Sequence, residues 1–279
     1  MIIDNLKRVV EKNTGANPLY LRNLLKEQLQ FYTLNFIYGS SWGENLLFKG
    51  GSCLRMFFDL PRLSEDLDLD IVNPKTFVSK DFLTDLEKYF GQTLQYKKLE
   101  VSLSGKKNIL KLKFPLLDTL GLAKEERTKT LFLRIDLSTA LGKSYKTELS
   151  LKSTHDFSFL VKRYSLPDLF SGKIAAILGR TVMEAGKMVP RIKGRDYFDL
   201  AWLMEKKITP NFAYLAEITG IKNQKQLKTK LEEKVDNLDL AVLRQDLLPL
   251  FREKNFVDKF CKNYKNIFNI LVENWGTHR

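Results

Sequence analysis

Two segments of the chain alternate strictly between apolar and polar residues, the pattern of a strand buried on one face. In residues 67–72, Leu-Asp-Leu-Asp-Ile-Val, Leu67, Leu69 and Ile71 share one face, and Asp66, Asp68 and Asp70 project from the other. Asn73-Pro74 ends this strand. In residues 130–138, Leu133, Ile135 and Leu137 share one face, and Arg134, Asp136 and Ser138 share the other. Residues 96–104 and 108–114 read as a hairpin turning at Ser104-Gly105-Lys106-Lys107.

A different period governs the rest. Asn17-Pro18 reads as a helix start, with Asn as cap and Pro in the first turn. Leu21, Leu24, Leu25, Gln28, Leu29, Tyr32 and Phe36 follow at helical spacing, and Gly39 is the stop. Leu46-Leu47-Phe48 is a short apolar strand or turn entry, and residues 77–90 read as a helix. From Leu166 onward only helices are predicted, over 167–185, 195–206, 223–236, 239–253 and 255–273. The switch predicts an α+β half with N-terminal helices over residues 1–165 and a helical half over 166–279.

Composition narrows the chemistry. Hydrophobic residues make up 44% of the 279, which supplies a core. No uncharged apolar run of about 18 residues occurs, so no membrane span is expected. Charges in Met1–Arg8 leave no apolar signal segment, and a cytoplasmic location is expected. Cys53 and Cys261 match no zinc spacing, and with only His155 and His278 a histidine-based metal or nucleophile site is not expected. His155 is expected at the surface or in a turn, and His278 in a frayed tail. The net charge of +13 favours a polyanionic partner. Lys162–Arg195 alone holds eight Lys or Arg against two acids.

Three acids on one strand face repel one another, and a cation would relieve that repulsion. Carboxylate oxygens select Mg²⁺ or Mn²⁺ over zinc. The alternative is a solvated acidic edge strand. If the two alternating strands are neighbours, Asp136 adds a third ligand to Asp66 and Asp68. Gly50-Gly51-Ser52, leading into a short helix from Cys53, offers backbone N–H groups and a hydroxyl to an anion; an ordinary turn is the plainer reading. Lys173 and Arg180, seven apart on the predicted helix 167–185, share a face. They either form a solvated basic face or contact the phosphates of a triphosphate. Asp196 opens the next helix as a cap or dipole partner, with Asp199 one turn on.

The stretch Phe48-Lys49-Gly50-Gly51-Ser52-Cys53-Leu54-Arg55, followed by Arg62-Leu63-Ser64-Glu65-Asp66-Leu67-Asp68-Leu69, resembles the first motif of the AbiEii-type toxin family. That family belongs to the polymerase-β-like nucleotidyltransferases. Its Lys…Arg helix and Arg-Asp-x-x-Asp helix resemble Lys173–Arg180 and Arg195-Asp196-Tyr197-Phe198-Asp199 here. The basic connector Thr181–Gly194 is long for the pattern, and Asp70 is an acid beyond the required pair.

The resemblance implies a polymerase-β-like sheet with flanking helices, then a helical half that brings Lys, Arg and Asp to the active site. It implies metal on Asp66, Asp68 and Asp136; nucleotide contacts from Lys49, Gly50, Gly51, Ser52, Lys173, Arg180 and Asp196; and roles for Lys173 and Asp199 in the reaction. Asp196 and Asp199 would orient Lys173 or Arg180, or contact the nucleotide. The expected activity is transfer of a nucleotide from an NTP to an acceptor hydroxyl, a tRNA 3′ end or other RNA, with Mg²⁺ or Mn²⁺ and a cognate antitoxin as partner. Two other readings compete. A non-catalytic RNA-binding protein on the same fold gains nothing from acids facing a polyanion. A metal-dependent nuclease makes no use of the Gly-Gly-Ser turn.

Overall fold

The computed structural model describes residues 2–104, 109–123, 129–184 and 187–275. The predicted turn residues Gly105–Lys107, and His278, lie outside these. The chain forms two compact units, one of residues 1–140 with 147–163, the other of 141–146 with 164–279.

The first unit is built on a seven-stranded mixed sheet. Its strands are β1 (Leu46–Lys49), β2 (Asp66–Ile71), β3 (Glu100–Ser104), β4 (Ile109–Pro115), β5 (Thr130–Thr139), β6 (Thr147–Ser153) and β7 (Ser158–Tyr164). Their order in space is β3-β4-β5-β2-β1-β7-β6. The two alternating strands are neighbours: β2 and β5 run parallel, with Asp66 opposite Arg134, Asp68 opposite Asp136 and Asp70 opposite Ser138. Their shared apolar face, Leu67, Leu69, Leu131, Leu133, Ile135 and Leu137, is buried. Period-two alternation in both strands forces this division, because a one-residue slip would turn every aspartate into the core.

Helix α2 (Pro18–Tyr38) starts where expected, with Asn17 accepting from the Leu19 N–H at 2.8 Å. Leu21, Leu25, Leu29, Tyr32 and Phe36 are buried as the spacing predicts, but so are Asn23, Glu27 and Gln30. These polar groups have partners: Glu27 pairs with Arg55 at 3.0 Å, and Gln30 donates to the Ser64 carbonyl at 3.1 Å. Buried polar groups require such partners, and here they hold Arg55 and the segment that leads into the acid strand. The remaining helices of this unit are α1 (Ile2–Lys12), α3 (Gly50–Phe58) and α4 (Ser79–Lys88).

The second unit contains α5 (Leu166–Gly179), a hairpin of β8 (Thr181–Glu184) and β9 (Lys187–Pro190), then α6 (Gly194–Glu205), α7 (Phe212–Thr219), α8 (Gln224–Asp236), α9 (Leu240–Leu247) and α10 (Lys254–Asn274). The helix predicted over 167–185 stops at Gly179, and Arg180 is its extended C-cap (φ −69°, ψ 125°). Thr181 pairs with Pro190 and Val182 with Val189 in an antiparallel ladder, and the Arg191 N–H donates to the Arg180 carbonyl at 3.0 Å. Cross-strand bonds to β9 replace the helical ones, a long-range choice that local periodicity does not record.

Strands β6 and β7 add to the elements that the sequence pattern predicts. β6 is an edge strand with mostly exposed residues, so it lacks the alternation that marked β2 and β5. His155 is exposed in the turn between them, as expected. Among the described residues no helix is long and apolar enough to cross a membrane.

Candidate active site

The first group of predicted residues assembles at the junction of β1, α3, β2 and β5. β1 pairs antiparallel with β2, placing Lys49 opposite Asp68, and the chain turns directly from Lys49 into α3. Gly50 makes that turn at φ +78°, a conformation that favours glycine. A Cβ at Gly50 would overlap the Asp68 carboxylate, and one at Gly51 would lie 2.6 Å from the Arg62 guanidinium. The backbone thus passes closely between an acid and a fully buried arginine. The first-turn N–H groups of α3 lack helical acceptors and carry the positive end of the helix dipole. Arg62, for which sequence pattern suggests no role, adds a buried positive charge beneath them.

Ser52 is fully buried, and its hydroxyl donates to the Asp66 carbonyl. Its side chain therefore ties α3 to the acid strand, and what it offers an anion is its backbone. Gly50→Ala should cut activity at least tenfold. It adds a left-handed strain of about 1–2 kcal/mol and displaces Asp68. Wild-type turnover from a folded Gly50→Ala protein would show that this close approach has no function.

The carboxylates divide by partner. Asp70 is buried, and Lys49 Nζ reaches its Oδ1 at 2.5 Å, with the Ser138 hydroxyl 2.7 Å from the same oxygen. Lys49 also lies 2.9 Å from Ser138. Asp70 is therefore neutralised within the protein, and the Lys49 ammonium is held in that trio. Asp66, Asp68 and Asp136 are half-buried on the same face. Arg134 donates to Asp136, and this bond raises its guanidinium above the ordinary value against the opposing effect of burial, with the charges of Asp136, Asp66 and Asp68 adding to it. Among the described residues no three acid, imidazole or thiolate groups converge into a ready-made metal site. The donor set nonetheless suits a hard cation: oxygen ligands only, with Asp68 beside Asp136 across a parallel pair and Asp66 next along the same face.

The second group lies wholly in the helical unit. Lys173 Nζ is 2.9 Å from Asp196 and 2.7 Å from Asp199, and Arg180 reaches the other Asp196 oxygen at 2.8 Å. Lys173 and Arg180 are thus joined through one shared carboxylate, even though Arg180 lies off the helix. Burial would raise the Asp196 carboxyl, but the Lys173 ammonium and Arg180 guanidinium overcome it and hold it well below the usual range, with Lys193 adding to them. The side chains of Lys173, Asp196 and Asp199 are 11%, 4% and 0% exposed, whereas that of Arg180 is 31% exposed.

Residues 35–260 match the family model described as nucleotidyl transferase AbiEii toxin, type IV toxin–antitoxin system. The chain belongs to the AbiEii family. The sequence resemblance to AbiEii toxins at the two motifs therefore extends over most of the chain. No individually curated protein matches it in sequence. A crystal structure from H. pylori, described as a candidate nucleotidyltransferase, is 14% identical with a TM-score of 0.50, covering 92% of this chain and 98% of that one. The crystal structure of JHP933 from Helicobacter pylori, also 14% identical, has a TM-score of 0.49 over 91% of this chain and 93% of that one. The AbiEii chain is thus a nucleotidyltransferase-type mixed sheet with flanking helices, followed by a helical region.

Proposed function

We propose that this AbiEii nucleotidyltransferase moves a nucleotide from an NTP to the 3′ hydroxyl of an RNA, a tRNA end above all, in a reaction that requires Mg²⁺ or Mn²⁺. The observation that carries the proposal is the parallel register of β2 and β5, which sets Asp68 beside Asp136, together with the Gly50 turn packed against Asp68. Divalent ions held by Asp66, Asp68 and Asp136 would stabilise charge on the attacking and leaving oxygens. The backbone N–H groups of Gly50, Gly51 and Ser52 bind the triphosphate, with Arg62 adding charge beneath them. Asp136 accepts the proton of the attacking hydroxyl. The family resemblance assigns Arg180 and Lys173 to the triphosphate, and within the helical unit Asp196 and Asp199 hold the Lys173 ammonium. No histidine or cysteine is needed: Cys53 is buried, and burial pushes its thiol far up. As in a type IV system, we assign the chain a cognate antitoxin, and we assign it to the cytoplasm.

The test is incubation with each labelled NTP, Mg²⁺ and total cellular RNA, followed by identification of the labelled species. Label in RNA supports the proposal. Label in protein alone removes the RNA acceptor, and shortened RNA with no label transferred would make the chain a nuclease.

The β8–β9 hairpin and its exit carry exposed Lys187 and Arg191. Binding of phosphates there predicts steep salt dependence. Replacing both by Ala should weaken RNA modification and lower the slope of log affinity against log salt by about 0.7 for each phosphate no longer neutralised. NTP binding should stay unchanged. Lys193 is left intact in this test because its charge helps to hold Asp196. Salt dependence identical to wild type would exclude this hairpin from RNA binding.

A further inference from the structure

Among the described residues, the acid-bearing face of the sheet carries exposed side chains beyond the carboxylates. On β5 the residues sharing that face are Phe132, Arg134, Asp136 and Ser138, and Phe132 is 51% exposed. On β4 the antiparallel register sets Lys111 beside Arg134 and Lys113 beside Phe132. Lys111 is exposed, as are Glu100 and Ser102 on β3. Lys113 pairs with Glu100 at 3.3 Å. A single exposed phenylalanine needs no explanation. This one stands in line with Asp136 on the acid-bearing face, flanked by cations.

We propose that Phe132, with Lys111 and Arg134, forms a stacking subsite for an unpaired base of the acceptor strand, set back from its reacting 3′ end. The inference rests on the RNA-acceptor reading above and assigns that strand its path. An open strand face that combines an aromatic ring with cations suits single-stranded nucleic acid, because bases stack on the ring while the cations meet phosphates. Spacing agrees. Phe132 and Asp136 are four strand residues apart, about 13 Å, which is about four nucleotides at stacked spacing and fewer when extended.

Direction agrees as well. The Gly50 turn follows β1, which flanks β2 on the side away from β5. Triphosphate bound there lies to one side of Asp66 and Asp68, and Phe132 lies to the other. The ring is therefore on the acceptor's side of the acids, not the NTP's. Arg134, which bonds Asp136, links the two: a phosphate drawn to its guanidinium sits between the stacked base and the proton-accepting carboxylate.

The experiment compares Phe132→Ala, Phe132→Leu and Phe132→Trp with wild type, measuring KM for RNA and KM for NTP separately, alongside thermal unfolding. Ala and Leu should both raise the RNA KM by about tenfold or more, because each removes the stacking ring. The NTP KM should not change, Trp should restore the RNA KM, and the unfolding midpoint should not move. Binding of a short fluorescent oligoadenylate with a free 3′ hydroxyl should weaken in parallel, and Lys111→Ala should flatten its salt dependence. An unchanged RNA KM in both Ala and Leu overturns the subsite while RNA transfer itself stands. A Leu variant that behaves as wild type also overturns it, since apolar bulk would then suffice. A rise in NTP KM instead would give the ring to the incoming nucleotide, and wild-type label found only in protein would remove subsite and RNA acceptor together.

Discussion

Asp66→Asn and Asp68→Asn should each reduce nucleotide transfer by a thousandfold or so while leaving the protein folded. Loss of a single neutral donor to a transition-state charge costs about 10²–10³ in rate, and a carboxylate that carries the cation should cost at least the upper end. Stability should change little, because Asp68 stands beside Asp136 across neighbouring strands with Asp66 next along the same face, and neutralising one acid lessens their repulsion. The unfolding midpoint should stay level or rise slightly. Asp70→Asn should behave differently. Asp70 is buried against Lys49, so its loss leaves an ammonium short of its partner and lowers stability. Transfer assays over a Mg²⁺ titration, with thermal unfolding of the same samples, separate the two cases. Near wild-type transfer by Asp66→Asn or Asp68→Asn would sink the metal assignment.

Lys173→Met should give the largest loss of stability. The ammonium is nearly buried between Asp196 and Asp199, and removing it leaves Asp199 charged in the interior without its cation. Breaking a buried pair from one side costs about 3–5 kcal/mol, which lowers the unfolding midpoint on the order of 10 °C. Lost activity in this variant therefore does not by itself assign Lys173 to the triphosphate. Arg180→Ala is the cleaner probe, because its side chain is 31% exposed and Asp196 keeps Lys173. It should weaken NTP binding about ten- to a hundredfold with little change in stability. Unchanged NTP binding in Arg180→Ala would return Arg180 to a structural role.

Acid should report on the same cluster. Asp196 is held below its ordinary value, so its contribution is present in full above the unfolded pKa of about 3.9 and is lost as pH falls through the folded one. Stability due to this group should thus be flat from neutral pH to about 4 and decline below it. Asp196→Asn should start less stable and lack that part of the decline. A wild-type protein that loses this stability between pH 7 and 5 would contradict the pairing.

The central part of the candidate site was legible because its signals are local. Period-two alternation assigned Asp66, Asp68 and Asp136 to polar strand faces, and the Gly-Gly-Ser turn marked a helix start before any pairing was known. The limits of α2, α6, α8 and α10 followed from caps and helical spacing within a residue or two. Arg134 was placed on the face of Asp136 by the same alternation.

What only the tertiary structure decided depends on partners distant in sequence. That β2 and β5 lie side by side, parallel and in register, is a pairing across about seventy residues, which neither strand encodes alone. Lys49 stands opposite Asp68 in the β1–β2 register, yet its ammonium pairs with Asp70, a diagonal contact that spacing along the chain does not record. Arg180 lies off the helix because β8 found β9, yet Asp196 still joins it to Lys173. That Arg62 is fully buried against Gly51 likewise follows from the fold and not from its place in the first motif. Spacing along a chain records which face a residue takes, because backbone geometry repeats locally. It does not record which charges meet, because that depends on which faces come together.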